Sequence, residues 1–415
     1  MSQFAHYQPG GYAQEHIRIT PTTLSDGREF FYLDDEPDYV CGKKTRQLAD
    51  PRDLPYRFAP YLDADGNEVP YAAPQMRRDP LTGDWIPMAT ARMNRPITIG
   101  PGATATGNPL AARKPGDPYQ DGEVPDTDYN VVVFENRFPS MVQVPGVLNE
   151  TVEVDDDPLW LQRPASGRCE VICFDPNEHG LPADLPVERL RTVVEAWAFR
   201  TAELSAIDGL EQIYVFENHG QEIGVSLAHP HGQIYAYPFI APKLEQELKH
   251  SEAYHERTGG NLLADIMRAE IDAGERVIMR NGSWVAYVPA AARWPLEVHV
   301  QPLRDVRTLD ELDDHERWDL AQMYSQLLKR GNMFFDTGDG KGMDLPYIAA
   351  WHQAPVHDPR GGHYRLNLQF FSFRRAANKI KYLAGSESGM AAWVSDTTPE
   401  LIAQRFHELG AVDLD

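Results

Sequence analysis

The chain has 415 residues, and its 39 lysines and arginines against 62 aspartates and glutamates give a formal net charge of −23. Such a surface repels nucleic acid and anionic membranes at long range, which excludes a polyanion as a partner for the chain as a whole. With 42% hydrophobic residues the length supports one large or two ordinary domains, and a small anionic substrate needs only a local pocket of arginines, lysines and backbone N–H groups.

Residues 1–75 carry many turn formers (Pro51, Pro55, Pro60, Pro70, Pro74) around one apolar run, Phe30-Phe31-Tyr32-Leu33, and are predicted to form an accessory arm with a hairpin-like piece. Residues 99–128, dense in Gly, Pro and Ala, read as a long surface loop or a degraded structural module. Runs of β type follow at 130–134, 170–174, 212–216 and 233–237, and again at 284–288, 296–300 and 364–373. Helices are predicted at 187–207, where Leu190, Val193, Val194 and Trp197 keep i, i+3, i+4, i+7 spacing, at 309–334 behind a Thr308-x-x-Glu311 capping pattern, and after Thr398-Pro399. Two more, at 242–257 and 261–273, separate the strand groups, so the expected division is 1–75, 76–245 and 246–415. Cys41, Cys169 and Cys173 are odd in number and irregular in spacing, which suits free thiols in a reducing compartment. No stretch approaches the ~18 apolar residues of a membrane span. The start from Met1 to Tyr7 has neither a basic region nor an apolar leader, so the cytoplasm is the expected location.

The densest polar segment is Phe216-Glu-Asn218-His-Gly220-Gln-Glu-Ile-Gly224-Val225-Ser226-Leu-Ala-His229-Pro-His231-Gly-Gln233. Gly220 and Gly224 permit positive φ, the loop around Ser226 can aim N–H groups at an anion, and His229, His231 and Gln233 alternate onto one face of a strand. An imidazole nucleophile, an amide donor two residues on and a backbone nest suit phosphorus chemistry. A His-x-His on a strand also suits a metal site or an exposed pair; zinc would require further ligands nearby, and Gln is a poor one. Arg365-Leu-Asn367-Leu-Gln369 repeats the alternation in the second half, as a duplication in which only one copy kept its histidines would leave it.

Over about residues 76–409 the sequence resembles the galactose-1-phosphate uridylyltransferases, a branch of the histidine-triad superfamily. The resemblance rests on His229-Pro-His231-Gly-Gln233, Arg77-Arg-Asp-Pro-Leu-Thr-Gly-Asp-Trp85, Arg92-x-x-Arg95-Pro96, Phe134-Glu-Asn136-Arg137-Phe138-Pro139, Trp351-His-Gln-Ala-Pro355 and Lys381-Tyr382-Leu-Ala384-Gly-Ser-Glu387. It implies an α+β fold of two similar domains, each an antiparallel half-barrel sheet with packed helices. It also implies a ping-pong exchange, in which His231 takes UMP from UDP-glucose, releases glucose 1-phosphate and passes the UMP to galactose 1-phosphate to give UDP-galactose. By matching motif, His231, Gln233, His229 and Ser226 would serve catalysis. Asn218, Gly224, Val225, Arg92 and Arg95 would line the phosphates, and Asn136, Arg137 and Phe138 would lie near the uridine. Lys381, Tyr382, Ala384 and Glu387 would contact the hexose from the partner subunit of a homodimer. Arg374, Arg375, Lys379 and Lys381 would supply the local cationic patch that an acidic chain needs for an anionic substrate.

The metals that many members bind would fall on Asn108, Ala111, Asp156 and His229, and on Glu247, His352, Asn367 and Gln369. These donor sets predict that neither zinc nor iron is held and that no cofactor is used. Ser386, Ser388 and Trp393 depart from the family at the hexose end, which leaves N-acetylgalactosamine 1-phosphate as another acceptor. Two other readings compete: a dinucleoside polyphosphate phosphorylase, which resembles this chain in using His-x-His-x-Gln, and a non-catalytic nucleotide-sugar-binding protein.

Overall fold

The computed structural model describes residues 12–13, 15–62, 66–89, 108–114, 116, 122–225, 227, 229–338 and 340–410. Their β-type runs join into a 12-stranded sheet. In chain order its strands are β1 (Tyr12–Ala13), β2 (Arg18–Thr23), β3 (Glu29–Asp34), β4 (Val131–Glu135), β5 (Arg168–Cys173), β6 (Gln212–His219) and β7 (His231–Tyr237), then β8 (Val277–Arg280), β9 (Trp284–Tyr287), β10 (Leu296–Pro302), β11 (Tyr347–His352) and β12 (Asn367–Ser372). Across the sheet they run β1-β2-β3-β4-β5-β7-β6-β11-β12-β10-β9-β8. The halves meet where β6 pairs antiparallel with β11, from Phe216 opposite Ala350 to His219 opposite Tyr347. About that seam the order β5-β7-β6 is answered by β10-β12-β11. Each half inserts one long helix between equivalent strands, α1 (Val187–Ser205) and α4 (Asp314–Met333).

Period-two burial explains the layering. Ile234, Val215, Leu368 and Phe370 turn to the face covered by α1 and α4, where Leu190, Val193, Trp197, Leu320 and Leu327 complete one core. Fully burying such side chains is worth about 1.5–3 kcal/mol each. On the opposite face of the second half, α2 (Pro242–Thr258) and α3 (Leu262–Ala273) cover Tyr364, Val285 and Tyr287. In the first half a smaller sheet of Gln75–Arg78, Trp85–Met88, Val152–Val154 and Asp157–Pro164 packs at the Tyr235–Tyr237 end of β7 through Met76 and Trp85, with Met141 in the same cluster. The His231 end remains half-buried.

Two local expectations change. The arm's hairpin, β2–β3, is an integral edge of the main sheet: β3 pairs along β4, and Ile17, Ile19, Phe31 and Leu33 join the large core. The helix expected at 309–334 begins at Asp314, after a separate 3-10 turn at Leu309–Glu311. Leu312 is extended, Asp313 Oδ1 accepts from the Glu316 N–H at 2.8 Å, and Glu316 Oε2 accepts from the Asp313 N–H at 2.9 Å, so the capping box sits one motif later. Glu311 is committed to Arg307. Among the described residues no helix is long and apolar enough to cross a membrane.

Candidate active site

With Ile234 and Ala236 of β7 in the core, His231, Gln233, Tyr235 and Tyr237 stand on the other face. Neighbouring β6 places Phe216 opposite Gln233 and turns Tyr214, Phe216 and Asn218 the same way, so His231, Gln233 and Asn218 share one surface. Its walls are aromatic: Phe216 stacks on Tyr214 at 4.9 Å and meets Tyr235 edge-on at 5.1 Å. The chain enters this surface through Gly220, with φ +104°, where a Cβ would stand 2.6 Å from Pro346 Cβ, so only glycine fits. Gly224 follows at φ +78°, and Val225 is half-buried beyond it. Ser226, Arg92 and Arg95 lie outside the described residues.

His231 donates its Nδ1–H to the His229 carbonyl at 2.8 Å, which leaves the ring's lone pair on Nε2. The buried His229 ring shares a hydrogen bond with the Tyr129 hydroxyl at 3.0 Å, and that hydroxyl also reaches the carbonyls of Asp175 at 2.8 Å and Leu110 at 3.2 Å. Burial, reinforced by His231, pushes the His229 pKa down to about 3, so this ring is neutral near pH 7. At the far end of β4, Asn136 Oδ1 accepts from the Phe138 N–H at 2.9 Å, and the Asn136 N–H donates to the Cys169 carbonyl at 2.8 Å. Cys169 lies opposite Tyr235 and Cys173 opposite His231. The Asn136–Arg137–Phe138 turn is therefore four residues, roughly 13 Å, along the strands from His231, an interval that a nucleoside monophosphate spans.

The carboxyl-terminal group stands apart. Lys381 is buried, with its ammonium against Asp396 at 3.1 Å, Glu387 at 3.6 Å and the Val394 carbonyl. Glu387 also accepts from the Ala384 N–H at 3.3 Å, at the start of α5 (Gly385–Met390), while Tyr382 and Ala384 are exposed. Arg374 pairs with Glu222 and Arg375 with Asp396. The cationic patch expected at 374–381 is thus largely neutralised by the chain's own acids: three of its four cations have carboxylate partners.

Neither metal position fits its metal. Ala111 offers no donor, Asn108 Oδ1 accepts from the Leu110 N–H at 3.0 Å, Asp156 is exposed on a hairpin turn, and His229 is engaged by Tyr129. At the second position Glu247, His352, Asn367 and Gln369 do converge, but as a closed hydrogen-bond network. Glu247 accepts from Tyr364 at 2.6 Å and from Gln369 at 3.4 Å, with His352 Nδ1 at 3.1 Å, while Lys243 donates to Gln369 at 2.5 Å. Burial alone would raise the Glu247 pKa, yet His352, Lys243 and the Tyr364 hydroxyl hold it well below the carboxylate range; burial pushes the His352 pKa down against the opposing pull of Glu247. A lysine ammonium is the cation here. A third cluster, His16, Glu195 and Asp314, is served by Arg317 at 2.7 Å from Glu195 and Arg191 at 2.5 Å from Asp314. Sequence reasoning missed Tyr129, Tyr364 and Lys243. Only Lys243 left a signal, its i, i+4 spacing to Glu247 on one helix face.

The strand begins only at His231, so His229, expected on the same strand face, sits buried in the bend before it. A His-x-His-x-Gln leading into a strand, the second histidine's tautomer set by a carbonyl and a nucleotide's length from an Asx turn, defines a protein built for transfer chemistry at a nucleotide phosphate. The relatives narrow this. Residues 65–241 match the family described as galactose-1-phosphate uridyl transferase, N-terminal domain, and residues 247–413 its C-terminal domain. The chain is 40% identical to galactose-1-phosphate uridylyltransferase of Streptomyces lividans over 82% of this chain and 81% of that protein. It is 31% identical to that of Rattus norvegicus over 81% and 88%. A solved uridylyltransferase structure is 30% identical, with a TM-score of 0.66 over 81% of this chain and 98% of that one. The chain belongs to the galactose-1-phosphate uridylyltransferase family.

Proposed function

We propose that the chain transfers UMP from UDP-glucose to galactose 1-phosphate through a covalent UMP–histidine. Nε2 of neutral His231 attacks the α-phosphorus; the N–P bond forms as the bond to the glucose 1-phosphate oxygen breaks. Gln233 donates its amide to a non-bridging oxygen, holding charge without offering a titrating group that would help water in. A phosphate oxygen of galactose 1-phosphate then attacks the same phosphorus, the N–P bond breaks and UDP-galactose leaves. The observation that carries this reading is the His231 Nδ1–His229 carbonyl hydrogen bond, which puts the lone pair on Nε2 of a ring flanked by Gln233 and Asn218. Residues 76–245 supply the chemistry and the nucleotide half of the site. Residues 381–387 contact the hexose across a homodimer; the exposed Tyr382, Met390 and Leu401 are the apolar surface such a contact would cover. The reaction uses no metal, and Cys41, Cys169 and Cys173, none of them in a disulfide, suit the cytoplasm.

The test is incubation with UDP-glucose labelled at the α-phosphate. An acid-labile, base-stable protein label is expected, absent in His231→Ala and discharged by galactose 1-phosphate. Discharge by inorganic phosphate to give UDP would move the chain to the phosphorylases, and no label at all would overturn the transferase. Repeating the discharge with N-acetylgalactosamine 1-phosphate identifies the preferred acceptor.

A further inference from the structure

The residues before 65 lie outside the family match, yet they are fastened to the nucleotide end of the site. The Arg28 side chain is 1% exposed. Its Nη1 donates to the Glu135 carbonyl at 2.9 Å, its Nη2 to Glu123 at 2.6 Å and its Nε to Asp26 at 2.8 Å. The same Glu123 carboxylate lies 3.8 Å from Arg137. The Glu135 carboxylate accepts from the Glu29 N–H at 3.0 Å and pairs with Arg57 and with Arg168 at 3.3 Å. A second layer holds these arginines: the Arg57 N–H donates to the Asp26 carbonyl at 3.0 Å, and the Gly27 turn, at φ +88°, is pressed so close under Tyr56 that a Cβ there would stand 2.7 Å from its ring. The arm therefore grips Glu135, the residue immediately before Asn136, and through Glu123 it grips Arg137. The other side of the turn is fixed by Cys169.

We propose that residues 15–62 are a clamp that orients the Asn136–Arg137–Phe138 turn for the uridine half of the donor, with Arg28, Arg57 and Glu123 as its positioning residues. This rests on the reading that the turn faces uridine. Preorganised groups bind without first being ordered, so a loosened clamp weakens donor capture while leaving the phosphorus chemistry at His231 intact.

The experiment measures the UDP-glucose concentration that half-saturates labelling of His231, the labelling rate at saturation and the KM for galactose 1-phosphate. It compares Arg57→Ala, Arg57→Lys, Glu123→Gln and Asn136→Ala, each checked for its melting temperature. Arg57→Ala and Glu123→Gln are expected to raise half-saturation by roughly tenfold, with the saturated rate and the sugar-phosphate KM unchanged; Arg57→Lys recovers most of the loss. A purely architectural arm would lower the melting temperature or the active fraction and leave half-saturation alone, which overturns the clamp. If Asn136→Ala raises half-saturation and the arm variants do not, the clamp alone fails. If Asn136→Ala also leaves it unchanged, the uridine reading fails and the clamp with it.

Discussion

β7 and β12 occupy equivalent places on the two sides of the β6–β11 seam, and each turns polar side chains at period two to the same face of the sheet. On β7 these are His231 and Gln233, on a half-buried surface. On β12 they are Asn367 and Gln369, locked among Glu247, His352, Tyr364 and Lys243. One scaffold thus carries two outcomes. A polar set on a half-buried surface can face a substrate, whereas one closed into a buried network by its own neighbours becomes architecture.

The comparison breaks most sharply at His231, the proposed nucleophile. His231→Ala should cut the exchange between UDP-glucose and galactose 1-phosphate by more than ~10³-fold, whereas Asn367→Ala should cost stability with activity per folded molecule nearly unchanged. Exchange rates normalised to the folded fraction decide this; an equal loss in both would erase the distinction between the halves. Next comes Gln233→Ala, expected to lower the labelling rate about 10²-fold with little change in UDP-glucose half-saturation.

A pH effect follows. His229 ordinarily titrates near 6.5 but is depressed to about 3 in the fold, so below 6.5 the unfolded chain takes up a proton that the folded chain refuses. Its contribution is fully present above pH 6.5 and falls with decreasing pH by up to about 1.4 kcal/mol per unit until about pH 3. Urea denaturation across that range should show a shallower decline in His229→Asn. The smallest change is Lys243→Met, which leaves the Gln369 oxygen without its donor and should cost about 1–2 kcal/mol in urea unfolding. Adding Asn367→His and Gln369→His to that variant should create a stoichiometric divalent-metal site beside Glu247 and His352, detectable by metal analysis; its failure to form would mean that more than Lys243 keeps metal out.

The first half was legible because β7 alternates cleanly and His231 and Gln233 fall on it, while His229 lies in the bend just before the strand. The α4 start was misread because Thr308-x-x-Glu311 and Asp313-x-x-Glu316 both satisfy a capping pattern, and only the extended Leu312 separates them. The cationic run at 374–381 read as a ligand patch because sequence does not reveal that Glu222 and Asp396 return to it. The arm's importance was hidden for the same reason. Arg28 and Arg57 reach partners 107 and 78 residues away, across turn-rich sequence that carries no periodic signal.

The seam between β6 and β11 has a mechanical consequence. Four consecutive residue pairs stitch the halves together, and Glu217 lies sealed there between the hydroxyls of Tyr324 and Tyr347. Opening the protein like a book would tear that ladder and expose the carboxyl. Ligands must come and go across an intact plate, and heat must melt both halves at once, so calorimetry should record one endotherm from a chain built of two repeats.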